Sequence, residues 1–361
     1  MMKKVLLLAN GPGELWCWVR PMVKALKTRG YGVTIGLLPC QFSSGEEVRL
    51  ASSLGADRVF GPYFFLKSAF KMLNDDSDLV LQLGGDLLYG LMASRGKKPF
   101  FCYTYAPKPL MEKTDLVMTA WESPLMPKSV PVGDLTSDAL AMDEGSSPWK
   151  EEGSFHLVFF PGSRPAIRRA SFKFLSEVKD ALGRLVDNVE ITTALSPFAS
   201  EGEVNEWEEA GLAPSIAGTR VILERADLAL TQPGTNTLEL MHLGVPTIVA
   251  VPFRFLEHVP LGGLKGIFLE TPFLGKMIKG KFLRRAADSR RDFLAWPNRI
   301  AKEMIMKEVV GDIAPAELAQ VLAELMLDKK ERLRQKERLI SLAEREKVAE
   351  KILFLIEERI C

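Results

Sequence analysis

The first thirty-eight residues constrain this chain more than any other stretch, because they admit one economical fold. Val5-Leu6-Leu7-Leu8 is an unbroken apolar run, the pattern of a strand buried on both faces of a parallel sheet. A glycine turn follows at Asn10-Gly11-Pro12-Gly13. Leu15, Val19, Met22, Val23 and Leu26 then recur at helical spacing across 14–29. Gly30 closes that helix, as glycine commonly does, and Val33 to Leu38 opens a second strand. Strand, helix and strand joined by short turns predict a right-handed crossover into a parallel sheet.

The alternation continues. Helices are expected over 46–54 and 64–73, and strands at 58–60, 79–83, 100–104 and 116–119. The first half is therefore a doubly wound α/β domain. Ala141 to Gly153 is polar and turn-rich and reads as a linker. A second series then starts: a strand at 156–160, a turn at Pro161-Gly162-Ser163, a helix over 170–185, and strands at 189–194, 217–221 and 228–230. A helix opens at Thr237 and stops near Gly244, and a strand covers 245–251. From Pro315 onward the chain is charged and helical. With 361 residues and ~150 residues per domain, two Rossmann-like domains are expected, at 1–145 and 154–335. A C-terminal helix over 336–361 is expected to pack back on the first.

Composition excludes several classes. A net charge of +1 offers no basic excess for nucleic acid. Cys17, Cys40, Cys102 and Cys361 form no CxxC pair, so neither a zinc ribbon nor a thioredoxin site is indicated. His156, His242 and His258 are too few and too scattered for a metal cluster. The apolar start is too short for a signal peptide, and no run reaches the ~20 apolar residues of a spanning helix. A reduced cytoplasmic protein fits these features. Two stretches interleave apolar and basic residues: Phe64 to Leu73, and Lys265 to Arg285. They read either as core with solvated lysines or as contacts with an anionic membrane surface.

The most informative stretch is Thr231-Gln232-Pro233-Gly234-Thr235-Asn236-Thr237-Leu238-Glu239. A strand enters a small glycine-containing turn, and the turn opens a helix. Free N–H groups and a positive dipole end suit a phosphate there. Gly234 permits close backbone approach, Thr235, Asn236 and Thr237 offer side-chain hydrogen bonds, and Glu239 can accept from ribose hydroxyls. An ordinary capped helix has the same local pattern.

This stretch, with Leu243-Gly244-Val245-Pro246-Thr247 after it, resembles the donor-site signature of GT-B glycosyltransferases. More narrowly it is similar to the lipid-A-disaccharide synthase family. That family's Gly-Ser-Arg turn is matched by Gly162-Ser163-Arg164, its Gly-Thr-x-Thr-Leu-Glu segment by Gly234 to Glu239, and its late Pro-Asn by Pro297-Asn298. The order and rough separation of the three agree. The first half is more divergent. The family's Gly-Glu-Ala-Ser-Gly-Asp-like loop is replaced by Asn10-Gly11-Pro12-Gly13-Glu14-Leu15-Trp16, and its Val-Gly-His by Val132-Gly133-Asp134.

The resemblance implies two domains facing a cleft and an inverting transfer without metal or cofactor. An acylated glucosamine would pass from a UDP-sugar donor to a lipid-linked sugar phosphate, on the inner face of the cytoplasmic membrane. The oligomeric state stays open. Gly162, Ser163 and Arg164 would meet the diphosphate, with Arg164 offsetting charge on the leaving group. Gly234, Thr235, Asn236, Thr237 and Glu239 would hold the nucleotide, and Asn298 belongs to the third match. Gly11 and Gly13 would shape the acceptor-side loop. Asp86, matching the family's catalytic aspartate, would take the acceptor proton, with Glu14 as the second candidate acid. Asp86 also reads as a helix cap, Glu14 as a first-turn glutamate, Arg164 as a surface arginine, and His258 as incidental. Another UDP-GlcNAc-using GT-B enzyme, a transferase or an epimerase, would share the donor motifs. So would a non-catalytic nucleotide-sugar binding protein. A Rossmann dehydrogenase is disfavoured, because Gly11-Pro12-Gly13 lacks the third glycine of the dinucleotide fingerprint.

Overall fold

The computed structural model describes residues 3–39, 47–63, 65–150, 153–196, 199–256, 293–343 and 347–360. His258, Cys40, Cys361, Phe64 and the basic–apolar stretch 265–285 lie outside the described residues. The chain divides into two compact units, Met1–Met142 with Glu344–Cys361, and Asp143–Ala343. Each is built on a parallel sheet.

The first sheet contains, among the described residues, β1 (Lys4–Ala9), β2 (Gly32–Leu37), β3 (Arg58–Phe60), β4 (Leu79–Leu83), β5 (Phe100–Tyr103), β6 (Leu116–Thr119) and β7 (Val130–Pro131), in the order β3-β2-β1-β4-β5-β6-β7. Val5 to Ala9 are all buried, because helices cover both faces of a doubly wound sheet. After β1 the chain makes a short helical turn at Pro12–Glu14. It then winds as a π-turn over Leu15–Val19 before the regular helix Arg20–Thr28. That helix ends as its glycine predicts. Gly30 takes φ +78°, and the Tyr31 N–H reaches back to the Leu26 carbonyl at 3.0 Å, the long bond of a Schellman-type stop. Under the sheet Leu6, Leu8, Val80, Leu87, Ala93, Phe100 and Cys102 pack together. Burial there pushes the Cys102 thiol up to about 12, so it stays protonated and unreactive at neutral pH.

The second sheet contains β8 (Phe155–Phe159), β9 (Val189–Ala194), β10 (Pro214–Ser215), β11 (Leu228–Thr231), β12 (Thr247–Pro252) and β13 (Lys307–Gly311), in the order β10-β9-β8-β11-β12-β13. Its largest helix, Pro165–Leu182, buries Phe174, Leu175, Val178 and Leu182 against the sheet, each worth roughly 1.5–3 kcal/mol. The polar segment after Met142 is packed on this unit. The Trp149 indole N–H donates to the Ile222 carbonyl at 2.9 Å, and its ring stacks on His156 at 4.4 Å.

Two expectations are revised, and an edge strand that was not expected is added. Residues 217–221 are not a strand: Thr219–Leu223 is a short helix, whose Arg220 N–H donates to the Asp143 carboxylate at 3.0 Å. Its β-branched residues mimic strand composition. The edge strand β13 has a half-exposed pattern that carries no apolar run. Residues 336–361 do not form one helix. Lys329–Leu342 belongs to the second unit, where its Gln335 accepts from the Thr247 N–H at 3.0 Å. Val348–Ile360 packs on the first unit through Val348, Ala349, Ile352, Leu353 and Ile356.

The start of that last helix is capped from a distance. The Asp138 carboxylate accepts from the Val348 and Ala349 N–H groups at 3.2 and 2.7 Å. Burial nevertheless raises its pKa above the ordinary carboxylate value. A raised folded-state pKa contributes stability that is present at low pH and lost as pH rises through the raised value. In urea titrations the stability of Asp138→Asn relative to wild type should therefore improve on going from about pH 4 to about pH 7. Asp138→Ala, which removes both caps, should cost roughly 1–2 kcal/mol. A pH-independent difference between Asp138→Asn and wild type would contradict this account.

Candidate functional site

In the second sheet the chain begins at β8 and winds outward in both directions, so strand order reverses between β8 and β11. Ligands of doubly wound sheets bind at the carboxyl ends of strands at such a reversal. The two loops that leave there are Phe160 to Arg164 and Gln232 to Thr235, which carry most of the donor residues expected from the sequence.

The first loop is held by its carbonyls. Pro161 O accepts from the Ser171 hydroxyl and from Gln232 Nε2, both at 3.1 Å, and the second bond ties the two loops together. Ser163 O accepts from Arg168 Nη1 at 2.6 Å. Arg168 is fully buried and forms a two-pronged pair with Glu203 at 2.6 and 2.9 Å. Gly162 has φ +101°, and a Cβ there would stand 2.9 Å from Ile167, so the turn requires glycine. With the carbonyls engaged, the N–H groups of Gly162 and Ser163 have no hydrogen-bond partner among the described residues. Ser163 is exposed, and half-buried Arg164 is the N-cap of Pro165–Leu182.

The second loop repeats the arrangement. The N–H groups of Gly234 and Thr235 also lack partners among the described residues. Thr235 is the N-cap of the helix Asn236–Leu243, whose positive end favours an anion. Asn236 turns its amide back onto the Thr231 hydroxyl. Glu239 sits in the first turn, 8% exposed.

Two residues singled out in the sequence, the expected donor residue Thr237 and Asn298 of the third match, have other tasks. Thr237 is fully buried. Its hydroxyl donates to the Gly234 carbonyl at 2.8 Å and accepts from the Trp296 N–H at 3.3 Å, so it braces the turn from behind. Asn298 is also fully buried. Its Nδ2 donates to Met306 O and Glu308, and its Oδ1 accepts from the N–H groups of Ile305 and Met306, all at 2.8–2.9 Å. An amide so engaged has no capacity left for a ligand.

In the first sheet the order reverses between β1 and β4, and here the Glu14 carboxylate lies against the loop that leads to Asp86. The Glu14 carboxylate accepts from the Gly11 N–H at 3.0 Å and fills the space beside Gly84. A Cβ at Gly84 would stand 2.3 Å from Glu14 Oε1. Gly13 lies inside the turn Pro12–Glu14. Asp86 is exposed and caps the helix Leu87–Ser94, its Oδ1 accepting from the Leu88 N–H at 2.9 Å. Among the described residues its Oδ2 has no partner.

Sequence reasoning missed three residues around these loops. Lys108, from the loop after β5, donates from Nζ to the Gly85 carbonyl at 2.8 Å. Gln82, fully buried in β4, donates from Nε2 to Gly84 O at 2.9 Å and Asp86 O at 2.7 Å. Its Oε1 is buried without a partner, which costs on the order of 1–3 kcal/mol. Arg168 does the corresponding work in the second unit. A single polar residue in an apolar strand was the one legible signal, at Gln82. Among the described residues no three His, Cys, Asp or Glu side chains gather as metal ligands, and no helix is long and apolar enough to cross a membrane.

No protein-family model matches the chain, and no curated protein matches it significantly. Solved structures do. A putative UDP-N-acetylglucosamine 2-epimerase from Listeria monocytogenes superposes with a TM-score of 0.63 at 14% identity, over 100% of this chain and 97% of that one. The UDP-GlcNAc 2-epimerase of Neisseria meningitidis bound to UDP-GlcNAc gives 0.59 at 12% identity, over 98% and 100%. The calicheamicin glycosyltransferase CalG4 gives 0.58 at 14%, over 99% of each. At such identities the likeness is one of fold, and the chain has the GT-B fold of two parallel-sheet α/β domains.

Proposed function

We propose that the chain is an inverting glycosyltransferase that takes a UDP-sugar as donor. The observation that carries this reading is the pair of turns at the β8–β11 reversal. Four main-chain N–H groups, at Gly162, Ser163, Gly234 and Thr235, stand without partners among the described residues at the ends of neighbouring strands. A diphosphate is the ligand such a surface suits. Arg164 supplies a positive charge against the leaving diphosphate. On the first unit Asp86 acts as the base. An acceptor hydroxyl attacks the anomeric carbon from the face opposite the diphosphate, Asp86 takes the hydroxyl proton, and UDP departs with the bonding pair.

The finer assignment rests on the three motif matches to the lipid-A-disaccharide synthase family. The donor is then an acylated glucosamine on UDP and the acceptor a lipid-linked sugar phosphate. Peripheral contact with the inner face of the cytoplasmic membrane has support in the helix Phe65–Leu73. There Phe70 and Leu73 are 66% and 38% exposed beside exposed Lys67 and Lys71. A second reading, another UDP-GlcNAc-using enzyme including an epimerase, draws on the two epimerases among the structural matches and on the altered loop at Asn10–Trp16.

Calorimetric titration with UDP, UDP-GlcNAc and a UDP-2,3-diacylglucosamine, for wild type and Glu239→Ala, separates these readings. Tight binding of the acylated donor, lost in the variant, is the expected result. Binding of UDP-GlcNAc with no gain from acylation would move the assignment to another UDP-GlcNAc enzyme. No binding of any of the three would overturn the donor site.

The membrane contact has its own test, co-sedimentation with anionic vesicles at low salt. Each basic residue near an anionic surface is worth about 1 kcal/mol, so replacing Lys67 and Lys71 together by serine should weaken binding roughly tenfold or more. Wild-type protein that stays in the supernatant would rule the contact out.

A further inference from the structure

Strand β4 reads Leu79-Val80-Leu81-Gln82-Leu83, and all five residues are buried. Gln82 is the one polar member. Its Nε2 holds two carbonyls at once, Gly84 O at 2.9 Å and Asp86 O at 2.7 Å. Between them the chain passes through Gly84 and Gly85, at φ +89° and +69°. Two consecutive glycines in left-handed conformations have no side chains to fix them, so clamps on the carbonyls determine where this turn lies, Gln82 from the strand below and Lys108 Nζ on the Gly85 carbonyl at 2.8 Å. A Cβ at Gly85 would lie 3.5 Å from the same Nε2 and 2.5 Å from Leu38. The turn is therefore seated directly on the glutamine.

The other end of the amide argues against a purely structural role. Gln82 Oε1 is buried with no hydrogen-bond partner among the described residues, and it faces Gly90, where a Cβ would stand 2.5 Å away. Glycine at this place in the helix Leu87–Ser94 leaves room both for the Phe100 ring, 2.2 Å from the same Cβ position, and for this unsatisfied acceptor. An apolar residue of the same size would avoid that penalty, and β4 has apolar residues on either side. Local violations of this kind mark functional positions more often than structural ones.

We infer that Gln82 is a positioning residue for Asp86: by clamping the carbonyls of Gly84 and Asp86 it fixes the turn that presents the Asp86 carboxylate, with Oδ1 on the Leu88 N–H and Oδ2 left for the acceptor hydroxyl. This inference rests on the proposed role of Asp86 as base, and it deepens that role. Gln82 touches no substrate. It acts through the main chain of the residue that does.

The test uses Gln82→Met, which keeps volume and removes the clamp, and Gln82→Leu as a second variant in case one packs poorly. Four quantities are read: kcat with saturating donor, donor Kd, Tm, and the exchange rate of the Leu88 amide, which the Asp86 cap protects. The expected result is a kcat lowered about tenfold or more with donor Kd within about twofold, an unchanged or higher Tm, and faster Leu88 exchange. Asp86→Asn should lower kcat about 100-fold or more, and adding Gln82→Met to it should cause no further loss, because the two act as one unit. Unchanged kcat and unchanged Leu88 exchange would overturn the inference. So would a kcat loss matched by falling Tm and weaker donor binding, or full additivity with Asp86→Asn. If wild-type protein binds donor but transfers to no acceptor, the proposed function fails. Leu88 exchange would still report whether Gln82 holds the turn.

Discussion

Two parallel strand pairings, β1 with β4 and β8 with β11, are the interactions on which the chemistry of each unit depends. Val5 to Leu8 lie in register with Leu79 to Gln82, and Leu157 to Phe159 with Leu228 to Leu230. Partners about seventy residues apart are thereby fixed roughly 4.8 Å from one another. Because parallel strands need crossovers, their connections cannot occupy the space just beyond the shared carboxyl edge. What stands there is decided by the few residues that follow each strand: Gly11 and Glu14 beside Gly84 and Asp86 in one unit, Gly162 and Ser163 beside Gly234 and Thr235 in the other. The apolar runs that make the strands stable therefore also determine which polar residues meet.

Adjacency alone does not orient a loop, and both units solve this with buried polar side chains that grip main-chain carbonyls. Arg168 holds Ser163 O while Glu203 neutralises it. Gln232 and Ser171 hold Pro161 O, Thr237 holds Gly234 O, and Gln82 holds Gly84 O and Asp86 O. Gripping the carbonyls from inside leaves, among the described residues, N–H groups without partners in the second unit and the Asp86 Oδ2 without one in the first, the groups on which the proposed diphosphate and base roles rest. Each brace carries a desolvation cost met only when its partners are all present. The arrangement is consequently stiff, which is the condition under which preorganised donors and charges assist a reaction.

The fold was legible because long apolar runs and glycine stops carry both period and boundary, as at Val5–Leu8 and Gly30. It became illegible where burial was partial. β13, an edge strand with no buried residue, left no apolar signature, and Thr219–Leu223 has strand-like composition in a helix capped by a distant aspartate. The site followed the same logic. Glycines and charged residues on the turns, Gly162, Arg164, Gly234 and Asp86, could be read because their neighbours in sequence define the turn. The side chains that hold the turns could not, because Arg168 and Gln82 act on carbonyls whose position depends on tertiary packing. Asn298 and Thr237 show the converse. They look like ligands in sequence, yet the fold engages the whole amide of Asn298 and uses the buried Thr237 hydroxyl as both donor and acceptor.

Val132-Gly133-Asp134, one of the two places where the first half departs from the pattern it resembles, is bonded to the π-turn Leu15–Val19 that continues the other, the Asn10–Trp16 loop. The π-turn that follows Glu14 directs Trp18 inward, and its indole N–H donates to the Tyr105 hydroxyl at 2.9 Å. That hydroxyl donates in turn to the Asp134 carboxylate, which also caps the helix Leu135–Leu140 through the Thr136 N–H at 3.0 Å. Tyr103 braces the same corner, its hydroxyl on the Gly133 carbonyl at 2.9 Å and its ring edge-on to Trp18. Asp134 is 3% exposed, and burial, followed by the charge of Asp134, raises the Tyr105 phenol well above its ordinary range, so Tyr105 remains a donor throughout the physiological pH range. The Asp134 carboxylate thus accepts from a hydroxyl at 105 that is itself oriented by the Trp18 indole from the π-turn. Trp18, Tyr105 and Asp134 join the π-turn that follows the β1 turn to the corner before the helix Leu135–Leu140, while Glu14 and Asp86 stand at the β1–β4 reversal.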